Sequence, residues 1–241
     1  TQAMAQDLAS FIKTVGSKLP DEMVTIIKEV DPELEITAIV AKMEGEGRRP
    51  VIRFDNVKGT DFPVVTNIHA SRNRLALSMN TEPRAMLQTY LAAMENPVPP
   101  REVNTGPCKD VILKGKDVDL LKLPQITHHG GDAGPYITAA ISFAKDPETG
   151  TYNCAYNRLM IKGRDATSIH LTLGKHLWEF HQMMAARGEA LPVAFAIGVH
   201  PAIALGALAI GSIDENECAI MGGLLGEPLE MVKCENSDIL V

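Results

Sequence analysis

What the chain lacks narrows the field before anything it contains. None of its four cysteines (Cys108, Cys154, Cys218, Cys234) belongs to a C-x-x-C pair. Zinc-finger spacing and the disulfide framework of a small secreted domain are therefore excluded, and a reducing, cytoplasmic setting is expected. No Lys/Arg run stands out. The 23 basic and 30 acidic residues are interspersed for a formal net charge of −7, so nucleic acid has little electrostatic purchase. A small anionic substrate would need positive charge gathered at its own site. No apolar signal core follows Thr1. G-x-S-x-G, the Walker loop and H-E-x-x-H are all missing, so serine hydrolase, NTPase and zincin chemistry lack their local signatures. Internal repeats and low-complexity segments are absent as well.

One apolar run, residues 191–211, carries no formally charged side chain and reaches membrane-spanning length. Pro192 near its start and His200-Pro201 in its middle break it. It reads better as a buried strand over 193–199 followed by a short helix with Pro201 at its first position, and no membrane span is expected.

The rest is ordinary for a globular protein: 241 residues, 45% apolar and 22% charged, enough for one large domain or two modest ones. Helices are predicted over 3–15, from Pro32 to Met43 with Asp31 as cap, from Glu82 to Met94 with Ala85, Leu87, Leu91 and Met94 on one face, and from Lys175 to Arg187. Strands are predicted over 24–30, 51–54, 63–66, 136–145, 152–162 and 168–172, with a polar turn around Asp214. The four-proline segment Asn96–Pro107 is the best boundary. It divides the chain into an N-terminal mixed α/β domain (1–105) and a largely antiparallel second domain (106–241), α+β overall.

Few residues suggest chemistry on their own. His128-His129 beside two glycines lacks a third nearby ligand, and a solvated turn is the better account. Asn153 and Arg158 lie on one predicted strand, His176 opens a predicted helix, and Glu217 lies in a polar turn. An amide oxygen, an imidazole and a carboxylate suit manganese or magnesium. On their own, the same residues read more readily as a strand-edge amide, a helix cap and a solvated carboxylate.

Three stretches shift that balance. They are Asp132-Ala133-Gly134-Pro135-Tyr136-Ile137-Thr138; Asn153-Cys154-Ala155-Tyr156-Asn157-Arg158 with Gly174-Lys175-His176; and Pro201-Ala202-Ile203, Glu217, Gly222-Gly223-Leu224-Leu225 and Glu230-Met231-Val232-Lys233-Cys234. In this order and spacing, from about residue 22 to the last, the chain resembles the UbiD family of prenylated-FMN-dependent decarboxylases. The run around Lys162-Gly163-Arg164-Asp165 looks most like the branch acting on hydroxylated benzoic acids.

The resemblance implies a split β-barrel, flavin-reductase-like second domain and reversible decarboxylation of an aromatic or α,β-unsaturated acid on prenylated FMN. Asn153, His176 and Glu217 would hold Mn2+ or Mg2+ against the cofactor phosphate, with K+ as a further candidate ion. Glu217 fits better than Glu230 by its spacing from His176. Arg158 would face the substrate carboxylate and the reactive edge of the flavin. Thr138, Tyr156 and Lys175 would line the cofactor, and Gly206 and Ala207 would let backbone approach its phosphate. A flavin prenyltransferase would supply the cofactor, and the full-length protein would be a homo-oligomer. The family's proton-donating glutamates and C-terminal assembly domain lie beyond the stretch resembled here. A fragment of a longer polypeptide is therefore expected, with a short cofactor-binding form as the alternative. The competing functions are a non-catalytic flavin- or metal-binding module serving a partner subunit, and ordinary FMN redox chemistry.

Overall fold

A computed structural model describes residues 6–211, 213 and 215–241. Residues 3–5 of the first predicted helix, and Asp214 of the predicted turn, lie outside the described residues. Helix α1 (Leu8–Lys18) is capped by Asp7, whose carboxylate accepts from the Ser10 amide at 2.8 Å. Strand β1 (Met23–Ile26), helix α2 (Glu35–Gly45) and strands β2 (Val51–Phe54) and β3 (Val64–Thr66) follow. The sheet order is β1-β2-β3, parallel between β1 and β2 and antiparallel between β2 and β3.

Period-two alternation sends the side chains of β2 to two different layers. Val51 packs with Phe11 and Val15 of α1, while Ile52 and Phe54 pack with Ile36 and Ile39 of α2. The helix expected from Pro32 starts at Glu35. Asp31 does accept from the Glu33 amide at 2.9 Å, but this closes a turn, and Leu34 at φ 68° separates that turn from α2.

Helix α3 (Arg72–Ser78), which periodicity did not reveal, carries Arg74 into the interior. Helix α4 (Met86–Glu95) then leads to the proline segment and strand β4 (Arg101–Glu102). The predicted apolar face of α4 needs correction. Leu87 and Leu91 are 64% and 48% exposed, whereas Met86, Tyr90, Ala93 and Met94 meet the core.

The second part contains β5 (Tyr136–Ile137), β6 (Ile141–Lys145), β7 (Tyr152–Tyr156), β8 (Leu159–Ile161) and β9 (Thr167–Ile169). Beyond them lie α5 (His176–Ala186), β10 (Val193–Ala196), α6 (Pro201–Gly206), α7 (Glu217–Leu225) and β11 (Glu230–Met231). Two antiparallel three-stranded sheets result, β10-β6-β7 and β5-β8-β9, and β11 pairs with β4 in parallel. No closed barrel is found among the described residues.

The two long strands predicted over 136–145 and 152–162 are each interrupted at one place. Ile141 pairs with Tyr156, and the ladder continues with the Asn157 amide donating to the Ala140 carbonyl at 3.0 Å. Beyond it, Ile137 pairs with Leu159. Thr138 and Ala139 therefore stand opposite the single residue Arg158, the two-against-one count of a β-bulge. The bulge bends one long hairpin into two sheets.

Glu217 was expected in a polar turn, but it is the first residue of α7. Asn216 caps that helix by accepting from the Cys218 amide at 3.0 Å. Buried residues occur on every side of α7, so its sequence has no amphipathic stripe to betray it. It sits between α4, α6 and β7 in the largest apolar cluster. No helix among the described residues is long and apolar enough to cross a membrane. The 191–211 run divides into β10, a loop and α6, as its prolines imply.

Candidate active site

Strand β7 is an edge of its sheet, so alternate backbone amides on its open side need partners from elsewhere. Glu217 supplies one: its carboxylate accepts from the Cys154 amide at 3.3 Å and from the Asn153 side-chain amide at 2.9 Å. Asn153 lies opposite Ala144 on β6, and Ala144 packs with Leu177 and Phe180 of α5. This directs the Asn153 side chain toward the start of α5, where its amide nitrogen is 3.2 Å from His176 Nδ1. Three side chains from β7, α5 and α7 thus converge at one point.

Both Asn153 and Glu217 are buried. Burial pushes the Glu217 carboxyl up to about 7, with the amide donors of Asn153 and Cys154 partly opposing the rise. The two ends of the Asn153 amide are alike in shape, so a half-turn presents Oδ1 in place of nitrogen. Oδ1, Nδ1 and Oε1 would then form a group of acceptors with no donor among them, a set that suits a hard divalent cation. Among the described residues no three His, Cys, Asp or Glu side chains form such a cluster, and here an amide completes the set. His128 and His129 are not brought to this point. Their backbone amides donate to Asp132 at 3.2 and 3.0 Å within their own loop. Glu230 is exposed and ion-paired with Arg101 across β4 and β11.

Arg158, at the bulge on the same chain run as Asn153, is exposed and has no ion-pair partner among the described residues. It lines a cleft of about 240 Å³ with Tyr136, Met160, Ser168, Ile169 and His170. Thr138 stands across the bulge, exposed. Lys175 is exposed at the N-cap of α5, where the helix dipole and its own charge both favour an anion. Tyr156 is half-buried at the end of β7, and burial raises the pKa of its phenol.

Gly206 and Ala207, expected to let backbone approach the cofactor phosphate, lie at the end of α6. Both are buried in packing, and the place of a Cβ on Gly206 is taken by Met221 of α7. Their smallness serves the α6–α7 contact. Sequence reasoning missed two features: His170 in the Arg158 cleft, and the pair Cys154 and Cys218, whose Sγ atoms lie 3.4 Å apart beside two of the converging residues. Each follows a chosen residue or strand directly, but no motif marks it.

The family model described as the 3-octaprenyl-4-hydroxybenzoate carboxy-lyase Rift-related domain matches residues 101–241, and the corresponding N-terminal domain matches 18–94. The chain belongs to the UbiD family.

Anhydromevalonate phosphate decarboxylase of Methanothermobacter thermautotrophicus is 33% identical over 224 residues, covering 93% of this chain and 51% of that protein. The UbiD-class enzyme HmfF from Pelotomaculum thermopropionicum, solved with FMN, is 41% identical with a TM-score of 0.91, over 98% of this chain and 52% of that one. Vanillic acid decarboxylase of Sedimentibacter hydroxybenzoicus, in closed form, is 26% identical with a TM-score of 0.91, over 98% and 52%. The chain spans about half the length of the relatives it matches.

Proposed function

We propose that this chain is the cofactor- and metal-holding part of a decarboxylase acting reversibly on an aromatic or α,β-unsaturated carboxylic acid. The observation that carries the reading is the convergence of Asn153, His176 and Glu217 on the chain run that also presents Arg158, without an ion-pair partner among the described residues, to a cleft. In support, an evolved dimeric form of HmfF was solved with prenylated FMN and is 40% identical, with a TM-score of 0.92.

Asn153, His176 and Glu217 would hold Mn2+ or Mg2+, and Lys175 at the start of α5 would offset phosphate charge. Prenylated FMN, when bound, supplies an electron sink for the pair left as carbon dioxide departs. Arg158 grips the substrate carboxylate with a planar, permanently charged fork and fixes its orientation. Thr138, across the bulge, and Tyr156, half-buried at the end of β7, would shape the space between Arg158 and the ion-binding residues. Roughly 15 Å of strand separates Asn153 from Arg158, a span that a ring with a phosphate tail can bridge.

The same reading includes a division near residues 96–107 and a split barrel formed by the two bent sheets. It also includes a cytoplasmic homo-oligomer supplied by a flavin prenyltransferase, K+ as an accessory ion, and a proton donor outside these residues. The hydroxybenzoate branch remains the proposed neighbourhood for the substrate.

The test is to produce the protein together with a flavin prenyltransferase and to assay carbon dioxide release from benzoic, cinnamic and heteroaromatic acids. Release that requires both the prenylated cofactor and a divalent metal supports the reading. Turnover with plain FMN and a redox partner, or metal binding with no release from any acid, would replace it.

A further inference from the structure

We infer that His170 is a substrate-contacting residue that closes on the same carboxylate as Arg158. This deepens the proposed function and rests on it. Strands β8 and β9 pair with Ile161 opposite Thr167, Met160 opposite Ser168 and Leu159 opposite Ile169. One further step in that register sets Arg158 opposite His170. The face is shared. Arg158 and Met160 lie on one side of β8, Ser168 and His170 on the matching side of β9, and Tyr136 of β5 lies opposite Met160. All five line the cleft of about 240 Å³.

Residues directly opposite in an antiparallel pair have Cβ atoms about 4.5–5.5 Å apart. At that spacing a guanidinium and an imidazole reach one small anion together. The guanidinium offers two parallel N–H groups to the two carboxylate oxygens, and a neutral imidazole has one N–H for a remaining lone pair. Two donors facing each other across strands gain nothing from one another, and no other described residue bonds to either side chain. Both side chains are exposed and line the same cleft, and a shared acceptor between them makes sense of the pairing. Tyr136 and Met160 give that cleft an aromatic and a thioether wall. Its size lies below the roughly 300–1,000 Å³ of drug-sized sites and suits an acid with a single ring.

The experiment uses the cofactor-loaded protein and cyclohexanecarboxylate, a saturated acid that binds without reacting, measured by calorimetry beside KM and kcat for a reactive acid. His170→Leu should weaken binding and raise KM about tenfold, with kcat within about threefold and metal and flavin content unchanged. His170→Gln, which keeps a donor, should recover most of the loss. Arg158→Ala should abolish binding. If His170→Leu binds like the parent while Arg158→Ala does not, the inference about His170 is wrong and the proposed function stands. A kcat loss at constant KM with loss of flavin would make His170 structural, which also overturns the inference. If the parent does not bind the probe, or Arg158→Ala binds it normally, the reading of the cleft itself fails.

Discussion

The side-chain amide of Asn153 lies 2.9 Å from a carboxylate oxygen of Glu217, across 64 residues of sequence. The contact joins an edge strand to the first turn of a buried helix, and His176 completes it from a third element. A structural pair would need only two of these groups. Three potential ligands meeting at one buried point predict a bound ion. His176→Ala and Glu217→Ala should each reduce the divalent metal to near zero by elemental analysis and weaken flavin retention through gel filtration. Unchanged metal stoichiometry in both variants would move the ligands elsewhere.

Arg158 has an exposed charge and no ion-pair partner among the described residues, so replacing it should leave the fold alone. Arg158→Ala is expected to lose decarboxylation by at least about a hundredfold, as for removal of a preorganised charge at a reacting group, while metal content stays constant. Retained turnover would remove Arg158 from the chemistry.

Arg74 is the opposite case, 1% exposed and fully engaged. It donates to the carbonyls of Ile68, Arg49 and Asn67 at 3.2, 2.7 and 2.8 Å and pairs with Glu22 at 2.5 Å. The carbonyls belong to the segment before β2 and the segment after β3, so one side chain of α3 ties both to the helix. Arg74→Met leaves these acceptors and the Glu22 charge without their partner. It should cost about 3–5 kcal/mol in chemical denaturation, the usual penalty for breaking a buried pair. A loss below about 1 kcal/mol would show that water replaces the guanidinium.

Legibility in the sequence followed how each element is covered. Strand β2 was readable residue for residue, because Val51-Ile52-Arg53-Phe54 is a short β-branched and aromatic run bounded by Pro50 and Asp55. Helix α5 was readable to within one residue at either end, with Gly188 marking its stop. Helix α7 was hidden, because burial on all sides erases periodicity and Gly222-Gly223 reads as a breaker. The face of α4 was misjudged for a related reason. Leucines promised a core stripe, but the neighbouring helices offer contact to Met86, Tyr90 and Ala93. The candidate site was visible only through resemblance. Its residues come from three separate elements, and nothing in their spacing says that they meet. The bulge that sets Thr138 and Ala139 against Arg158 was invisible, since a one-residue offset between two paired strands leaves no mark in either one alone.

His200 predicts a pH dependence of stability. It is 3% exposed, its Nδ1 accepts from the Ala202 amide at 3.2 Å, and its ring meets Phe11 edge-on with centroids 5.1 Å apart. Burial lowers its pKa from 6.5 to about 4, against a smaller opposing effect of Asp7. The native state therefore keeps the ring neutral where the unfolded chain protonates it. The stabilising difference is complete above pH 6.5 and is lost as pH falls toward 4, by about 3 kcal/mol in total. His200→Asn keeps an acceptor at the cap of α6 and should flatten that part of the stability–pH curve measured by urea unfolding. An unchanged slope between pH 6.5 and 4 would mean that other groups produce it.

Gly223 and Gly222 give the last prediction. A Cβ on Gly223 would stand 2.8 Å from the Ala93 carbonyl oxygen, and one on Gly222 would run into the Val98 carbonyl. Both obstacles are backbone, which cannot swing aside as a side chain can. The two glycines let α7 lie directly against α4 and the start of the proline segment, and that contact fixes the helix whose first residue is Glu217. Gly222→Ala and Gly223→Ala should each destabilise the protein by about 1–3 kcal/mol, the range for overpacking a tight contact. Each should also weaken metal retention, because a displaced α7 carries Glu217 away from Asn153. Gly226→Ala has open space around its Cβ but a φ of +75° at the end of the same helix. Its cost should be the conformational one alone, about 1 kcal/mol, with metal content intact. If all three variants lose stability while keeping their metal, the seating of α7 does not govern the site.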